Sequence, residues 1–187
     1  MRHLFILLIA LAASALIFIG GTGLRGIYGA VYGYSDEYYD SELGSYTTSF
    51  NTKEKNRCHN IMLASDTIDG CIVYPGEIFS FNETLGPTSR RCGYKKSTIF
   101  IKGNKYEGYG GGVCQVSTTL YNAAVNAGMT IIERHDHSRK VPYAKKGEDA
   151  ATSYVGIDFK FQNDLSFPVV IYSYIDDGTI SITINEL

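Results

Sequence analysis

Three consecutive glycines, Gly110-Gly111-Gly112, run into the most regular helical pattern of the chain, and Cys114 stands at its first turn. No other feature restricts the fold so tightly. Glycines accept positive φ and let neighbouring backbone come close, so the triplet predicts a sharp entry into a crowded helix start. From Gln115 to Ala127, residues Val116, Leu120, Ala123 and Ala124 recur on one stripe, and Gly128 follows where a C-terminal cap belongs. That stripe reads as core. Cys114, Ser117, Thr118 and Tyr121 fall on another face, which either lines a cleft or turns its hydroxyls onto backbone carbonyls. A thiol at a helix start meets unpaired N–H groups and the positive end of the dipole, which favour its ionisation and suit a developing oxyanion. A tight turn with a merely buried cysteine is the plain alternative, and chemistry alone does not separate the two.

Thr130 to Arg134 reads as a strand leaving that helix, and it leads into His135-Asp136-His137. If extended backbone persists, Ile131, Glu133, His135 and His137 share one face. Tyr154–Phe161, Phe167–Tyr174 and Thr179–Ile184 read as further strands, parted by Gln162-Asn163-Asp164 and Asp176-Asp177-Gly178. Upstream, Asn60 to Ile68 carries a helical set in Ile61, Leu63, Ala64 and Ile68. Cys71–Tyr74 is a short strand running into the Pro75-Gly76 turn, and Phe79, Phe81 and Leu85 are expected in the core. Helix first and antiparallel strands afterwards predict an α+β domain, a central helix packed on a mostly antiparallel sheet.

A single transmembrane helix is expected ahead of this domain. Leu4 to Leu24 is apolar or small throughout and follows Met1-Arg2-His3. At about 1.5 Å per residue it spans on the order of 30 Å, enough to cross a bilayer. No clean small-x-small cleavage site follows, so residues 1–25 read as a retained anchor or uncleaved signal. Arg2 precedes the run, while Asp36, Glu37, Asp40 and Glu42 follow it, which favours an inside amino terminus and an exported domain. Residues 26–45 read as a Tyr/Gly-rich flexible tether, and 46–187 as the folded domain. The 187 residues carry a formal net charge of -2 and no Lys/Arg run, so nothing points to nucleic acid. No solenoid repeat is visible.

The glycine-cysteine segment extends as Val113-Cys114-Gln115-Val116-Ser117-Thr118-Thr119-Leu120-Tyr121-Asn122. Thr47-Thr48-Ser49-Phe50 and Pro75-Gly76-Glu77-Ile78-Phe79-Ser80-Phe81-Asn82 precede it. Glu133-Arg134, His137-Ser138, Asp149-Ala150-Ala151 and Asp158-Phe159-Lys160-Phe161-Gln162-Asn163 follow it in order. Over roughly residues 46–175 these words closely resemble the VanW-like family, named after an accessory gene of vancomycin-resistance clusters. The resemblance implies work at the cell envelope and brings no reaction with it. Many relatives add an amino-terminal domain associated with peptidoglycan binding; this chain leaves no room for one, so wall binding by that route is not carried over.

A cysteine at a helix start, then a histidine on a strand, then a carboxylate is also the order found in transglutaminase-like and NlpC-type cysteine peptidases. That similarity is one of order and setting only. In such a mechanism His137 takes the thiol proton, Asp149 orients the imidazole, and helix-start amides helped by Gln115 hold the oxyanion. His137 is preferred to His135 because it belongs to the His-Ser pair of the family pattern. The lengths agree: thirteen helical residues span about 20 Å and an extended Thr130–His137 roughly 23 Å, so a strand running back brings its end to the helix start. Gly110, Gly111, Gly112, Ser117, Thr118, Tyr121, Arg134 and His135 are the candidate substrate contacts.

Other readings stand beside this one. His135-x-His137 with Cys114 or His59 is a conceivable metal set, but no second Cys/His pair at finger spacing exists, and neither metal nor cofactor is expected. Cys58, Cys71, Cys92 and Cys114 in an exported chain allow three disulfide pairings. Arg134, Arg139, Lys96, Lys102 and Lys105 either pair with anionic wall polymers or are solvated surface charge. Asp149 and Asp158 serve equally well as residues that bond backbone amides. The leading expectation is thiol-dependent chemistry on an amide or peptide bond of peptidoglycan stems. Its rival is a non-catalytic module that binds wall peptide or glycan, and a third class is a structural partner of other envelope proteins.

Overall fold

The structure, a computed structural model, describes residues 41–187 apart from Lys102. The apolar run Leu4–Leu24 and most of the expected tether lie outside the described residues. Among the described residues no helix is long and apolar enough to cross a membrane. The chain forms β1 (Glu42–Ser49), α1 (Lys55–Ile68), β2 (Cys71–Val73), β3 (Ile78–Ser80) and a short α2 (Phe81–Leu85). A 3-10 turn at Arg90–Cys92 precedes the hairpin strands β4 (Lys96–Ile101) and β5 (Asn104–Tyr109). Then come α3 (Val113–Asn126), β6 (Thr130–Glu133), β7 (Lys160–Gln162), β8 (Val169–Asp176) and β9 (Thr179–Glu186). Among the described residues all strand pairing is antiparallel, in sheets ordered β1-β9-β8-β2, β3-β7-β6 and β4-β5. The α+β expectation holds for this domain, with the antiparallel strands divided among three sheets.

The apolar stripe of α3 explains why the helix sits where it does. Val116, Leu120, Ala123 and Ala124 are fully buried, as are Ile180, Ile182 and Ile184, which alternate along β9. The helix packs on β1, β9, α1 and β6. Burying a side chain such as Leu120 contributes about 1.5–3 kcal/mol, so the stripe fixes the helix against the sheet. Phe79, Phe81, Phe159 and Phe161 form a second, aromatic part of the same core. Leu85 is partly buried against it.

Two boundaries differ from expectation. β1 starts at Glu42, pairing Glu42 with Asn185 and Ser45 with Thr183, so residues 42–45 belong to the sheet and not to the tether. Gly44 is the reason this stretch looked unstructured: a Cβ there would collide with the backbone of Asn126 and Ala127, so the strand needs a bare residue to pass the end of α3. The strand expected over Tyr154–Phe161 shrinks to Lys160–Gln162. Gly156 turns the chain at φ 124, and the Asp158 carboxylate accepts from Ser80 Oγ at 2.6 Å, Asn82 N at 2.9 Å and Phe159 N at 2.7 Å. These bonds replace a ladder with a folded loop.

Candidate active site

The glycines build the entry to α3 by allowing contact. Gly110 and Gly112 adopt φ of 82 and 111. A Cβ on Gly110 would strike Thr88, one on Gly111 would strike Ser97 and Thr98, and one on Gly112 would strike Ile61 and Arg57. The Gly111 carbonyl accepts from Asn60 Nδ2 at 3.0 Å and Ser97 Oγ at 3.1 Å. On the side where a Cβ would stand, all three glycines face protein. Their effect is to seat the start of α3 against α1 and β4.

At that start Cys114 is partly buried, with its Sγ 3.4 Å from the Thr152 carbonyl and 3.9 Å from Thr152 Oγ1. The His137 imidazole lies close enough to Cys114 for the charge of each to act on the other. His137 Nδ1 lies 2.6 Å from Asp149 Oδ2, and the His137 backbone N–H donates to the same oxygen at 2.7 Å. A carboxylate can only accept here, so Nδ1 carries the proton and Nε2 is left for the thiol. Cys114, His137 and Asp149 are thus brought together in the order thiol, imidazole, carboxylate.

Their charges reinforce one another. Burial works to raise the Cys114 thiol pKa, but His137, with Thr152 behind it, holds it below its ordinary value. For His137 burial pulls the other way, and the partnership with Cys114 and then Asp149 lifts it above 6.5. Burial would raise Asp149, yet the two bonds from His137 keep it below the usual carboxylate value. Together these shifts favour a thiolate–imidazolium pair, the nucleophilic form of a cysteine.

The hydroxyl face of α3 positions this constellation and does not line a cleft. Ser117 Oγ donates to the Ala150 carbonyl at 2.7 Å, and the Ala150 N–H donates to Thr118 Oγ1 at 3.0 Å; both side chains are fully buried. Asn122 Nδ2 reaches the Glu148 carbonyl at 2.8 Å. Tyr121 stacks under the Arg134 guanidinium at 5.3 Å, and Arg134 Nε donates to the Asp149 carbonyl at 2.6 Å. Arg134 also pairs with Asp136 and, at 3.4 Å, with Asp149 Oδ1. Ser117, Thr118, Tyr121 and Arg134 therefore help to hold residues 148–150 in place.

Gln115 is likewise bonded to protein groups. It is 1 % exposed, and both its amide hydrogens are engaged, with Thr48 Oγ1 at 2.9 Å and the Ser49 carbonyl at 2.9 Å. Its Oε1 accepts from Arg57 Nη2 at 2.6 Å. It ties β1 and α1 to α3 and has no hydrogen left for an oxyanion. His135 turns away from the thiol: its Nε2 lies 3.0 Å from Glu133 Oε1, in a separate cluster with Lys160, whose Nζ is 3.0 Å from Glu133 Oε2. Lys160 first, then the Asp158 amide and His135, hold the Glu133 carboxyl down to about 2. The face-sharing of His135 and His137 fails because β6 ends at Glu133 after a bulge.

That second cluster borders an open cavity of about 560 Å³ lined by Asn82, Glu83, Glu133, Tyr154, Asp158 and Lys160 among others. Among the described residues no group of three or more His, Cys, Asp and Glu is placed to hold a metal, and the candidate His59 instead bonds the Gly93 carbonyl at 3.0 Å. All four cysteines are free thiols, so none of the three disulfide pairings forms. Three residues at the site escaped the sequence reading: Thr152, Arg57 and Tyr143. The Tyr143 ring meets His137 edge-on at 6.3 Å and lies 5.9 Å from the Arg57 guanidinium. No spacing rule connects them to Cys114.

Fold and site define a small α+β domain with a Cys–His–Asp constellation at the start of its central helix. A model of VanW-like proteins matches residues 56–185, and the chain belongs to that family. It is 46% identical over 143 residues to the uncharacterised protein YoaR of Bacillus subtilis (strain 168), covering 76% of this chain and 47% of that one. It is 31% identical over 147 residues to the vancomycin B-type resistance protein VanW of Enterococcus faecalis (strain ATCC 700802 / V583), covering 75% and 54%. The chain thus spans about half the length of these curated relatives. No solved structure matches it significantly.

Proposed function

We propose that this domain is a thiol-dependent enzyme acting on amide or peptide bonds of peptidoglycan stems, held outside the cell by the apolar run Leu4–Leu24. The observation that carries the reading is the linked set of Cys114, His137 and Asp149 at the start of α3. The vancomycin-resistance relative supports the envelope setting. In the proposed step the Cys114 thiolate attacks the carbonyl carbon, a C–S bond forms, and the carbonyl electron pair moves to oxygen. Collapse of that intermediate breaks the C–N bond, and the imidazolium of His137 gives its proton to the departing amine. Water, deprotonated by His137, then cleaves the thioester and restores the thiol.

The test is digestion of muropeptides with intact protein and Cys114→Ala, read by mass spectrometry. New stem fragments from the intact protein and none from the variant are expected. Fragments produced equally by both, or by neither, contradict the reading. The cavity beside Glu133 and Lys160 supports a second one, a non-catalytic module for wall peptide or glycan. Under it neither protein yields fragments, while both bind muropeptides alike.

A further inference from the structure

With both Gln115 amide hydrogens engaged, the proposed mechanism is short of an oxyanion donor. The Val113 and Gln115 amides donate back to the Gly110 and Gly112 carbonyls at 3.0 and 2.9 Å. The Cys114 amide, at the second helical position, lies among those without an intrahelical acceptor. One amide is a thin cradle for an oxyanion, since such sites generally set two donors on the developing charge. We infer that Tyr143 supplies the second donor, its hydroxyl binding the oxyanion formed when Cys114 attacks a carbonyl; this rests on the thiol mechanism proposed above.

The placement supports the role. The Tyr143 ring meets both His137, edge to face, and the Arg57 guanidinium. Arg57 is tied to Gln115, the residue after the nucleophile. Tyr143 also lies close enough to Cys114 and Asp149 for their charges to act on its phenol. Among the described residues no hydrogen bond engages its hydroxyl. Burial, then the Cys114 charge, pushes the phenol pKa well above 10.0, with Arg57 opposing. The hydroxyl therefore stays protonated and can donate wherever the thiolate is active. The Arg57 guanidinium at the ring adds positive potential to the site.

Two reagents separate this role from a packing role. p-Nitrophenyl acetate acylates a thiolate through a tetrahedral oxyanion: a C–S bond forms, and nitrophenolate leaves as the carbonyl reforms. Iodoacetamide alkylates the same thiolate by displacing iodide, with no oxyanion at all. Tyr143→Phe keeps the ring that meets His137 and Arg57 and removes only the hydroxyl. The full chain carrying this change is expected to lose about 100-fold in the rate of Cys114 acylation. Its iodoacetamide rate should stay within about twofold, since the thiolate is untouched. Acylation of the variant at the intact rate overturns the inference and leaves the thiol mechanism standing. Equal losses with both reagents also overturn it, because the effect would then be on the thiolate. If intact protein releases no more nitrophenolate than Cys114→Ala, the thiol mechanism and the inference fall together.

Discussion

Asp149 is where residue-scale forces concentrate. Its side chain is 7% exposed, accepts twice from His137, and is fastened by Arg134, Ser117 and Thr118 through the neighbouring backbone. Asp149→Asn should cost about 3 kcal/mol, because the imidazolium loses its buried counter-charge. The pH window follows from the shifts. Asp149 is depressed, so its contribution is present above the ordinary carboxylate value and lost as pH falls through the folded one. His137 is raised, so its contribution is present below 6.5 and lost as pH rises through its folded value. The gap in melting temperature between intact protein and variant should therefore be widest between about pH 4 and 6.5. A gap that does not vary with pH contradicts the pairing.

At the scale of elements, α3 was legible in the sequence because its stripe repeats with the helical period and packing enforces the same period. The start of α3 was legible only in part. Three glycines announced close approach, but which surfaces approach depends on Thr88, Ser97 and Arg57, distant in the chain and without pattern. The partners of Gln115 were not legible because helix position predicts a direction and not a partner, and they come from β1 and α1. Tyr143 and Thr152 lie outside helices and strands, where periodicity carries no information. The loop 153–158 failed as a strand because one glycine and one capping carboxylate outweighed its apolar residues. Gly112→Ala tests the close approach, since a Cβ would sit 2.9 Å from Ile61 Cγ1 at a strained φ of 111. A loss of about 2 kcal/mol in denaturant unfolding, with slower Cys114 alkylation, is expected. Unchanged stability and reactivity would show that the glycine triplet is not what seats the thiol.

For the whole molecule, the domain gains a sheet edge from residues 42–45, which leaves residues 26–41 as the expected spacer after the apolar run. That run and the charges around it predict a cytoplasmic amino terminus and an exported domain. Protease added to intact cells should remove residues 46–187, and full protection would refute the orientation. The central claim is that Cys114 is an activated nucleophile, and competitive alkylation with peptide mapping across pH tests it most directly. With His137 and Thr152 outweighing burial, Cys114 should label faster than Cys58, Cys71 or Cys92 at pH 6, and His137→Ala should erase that lead. Cys114 labelling slowest of the four, or reacting identically without His137, would contradict the account.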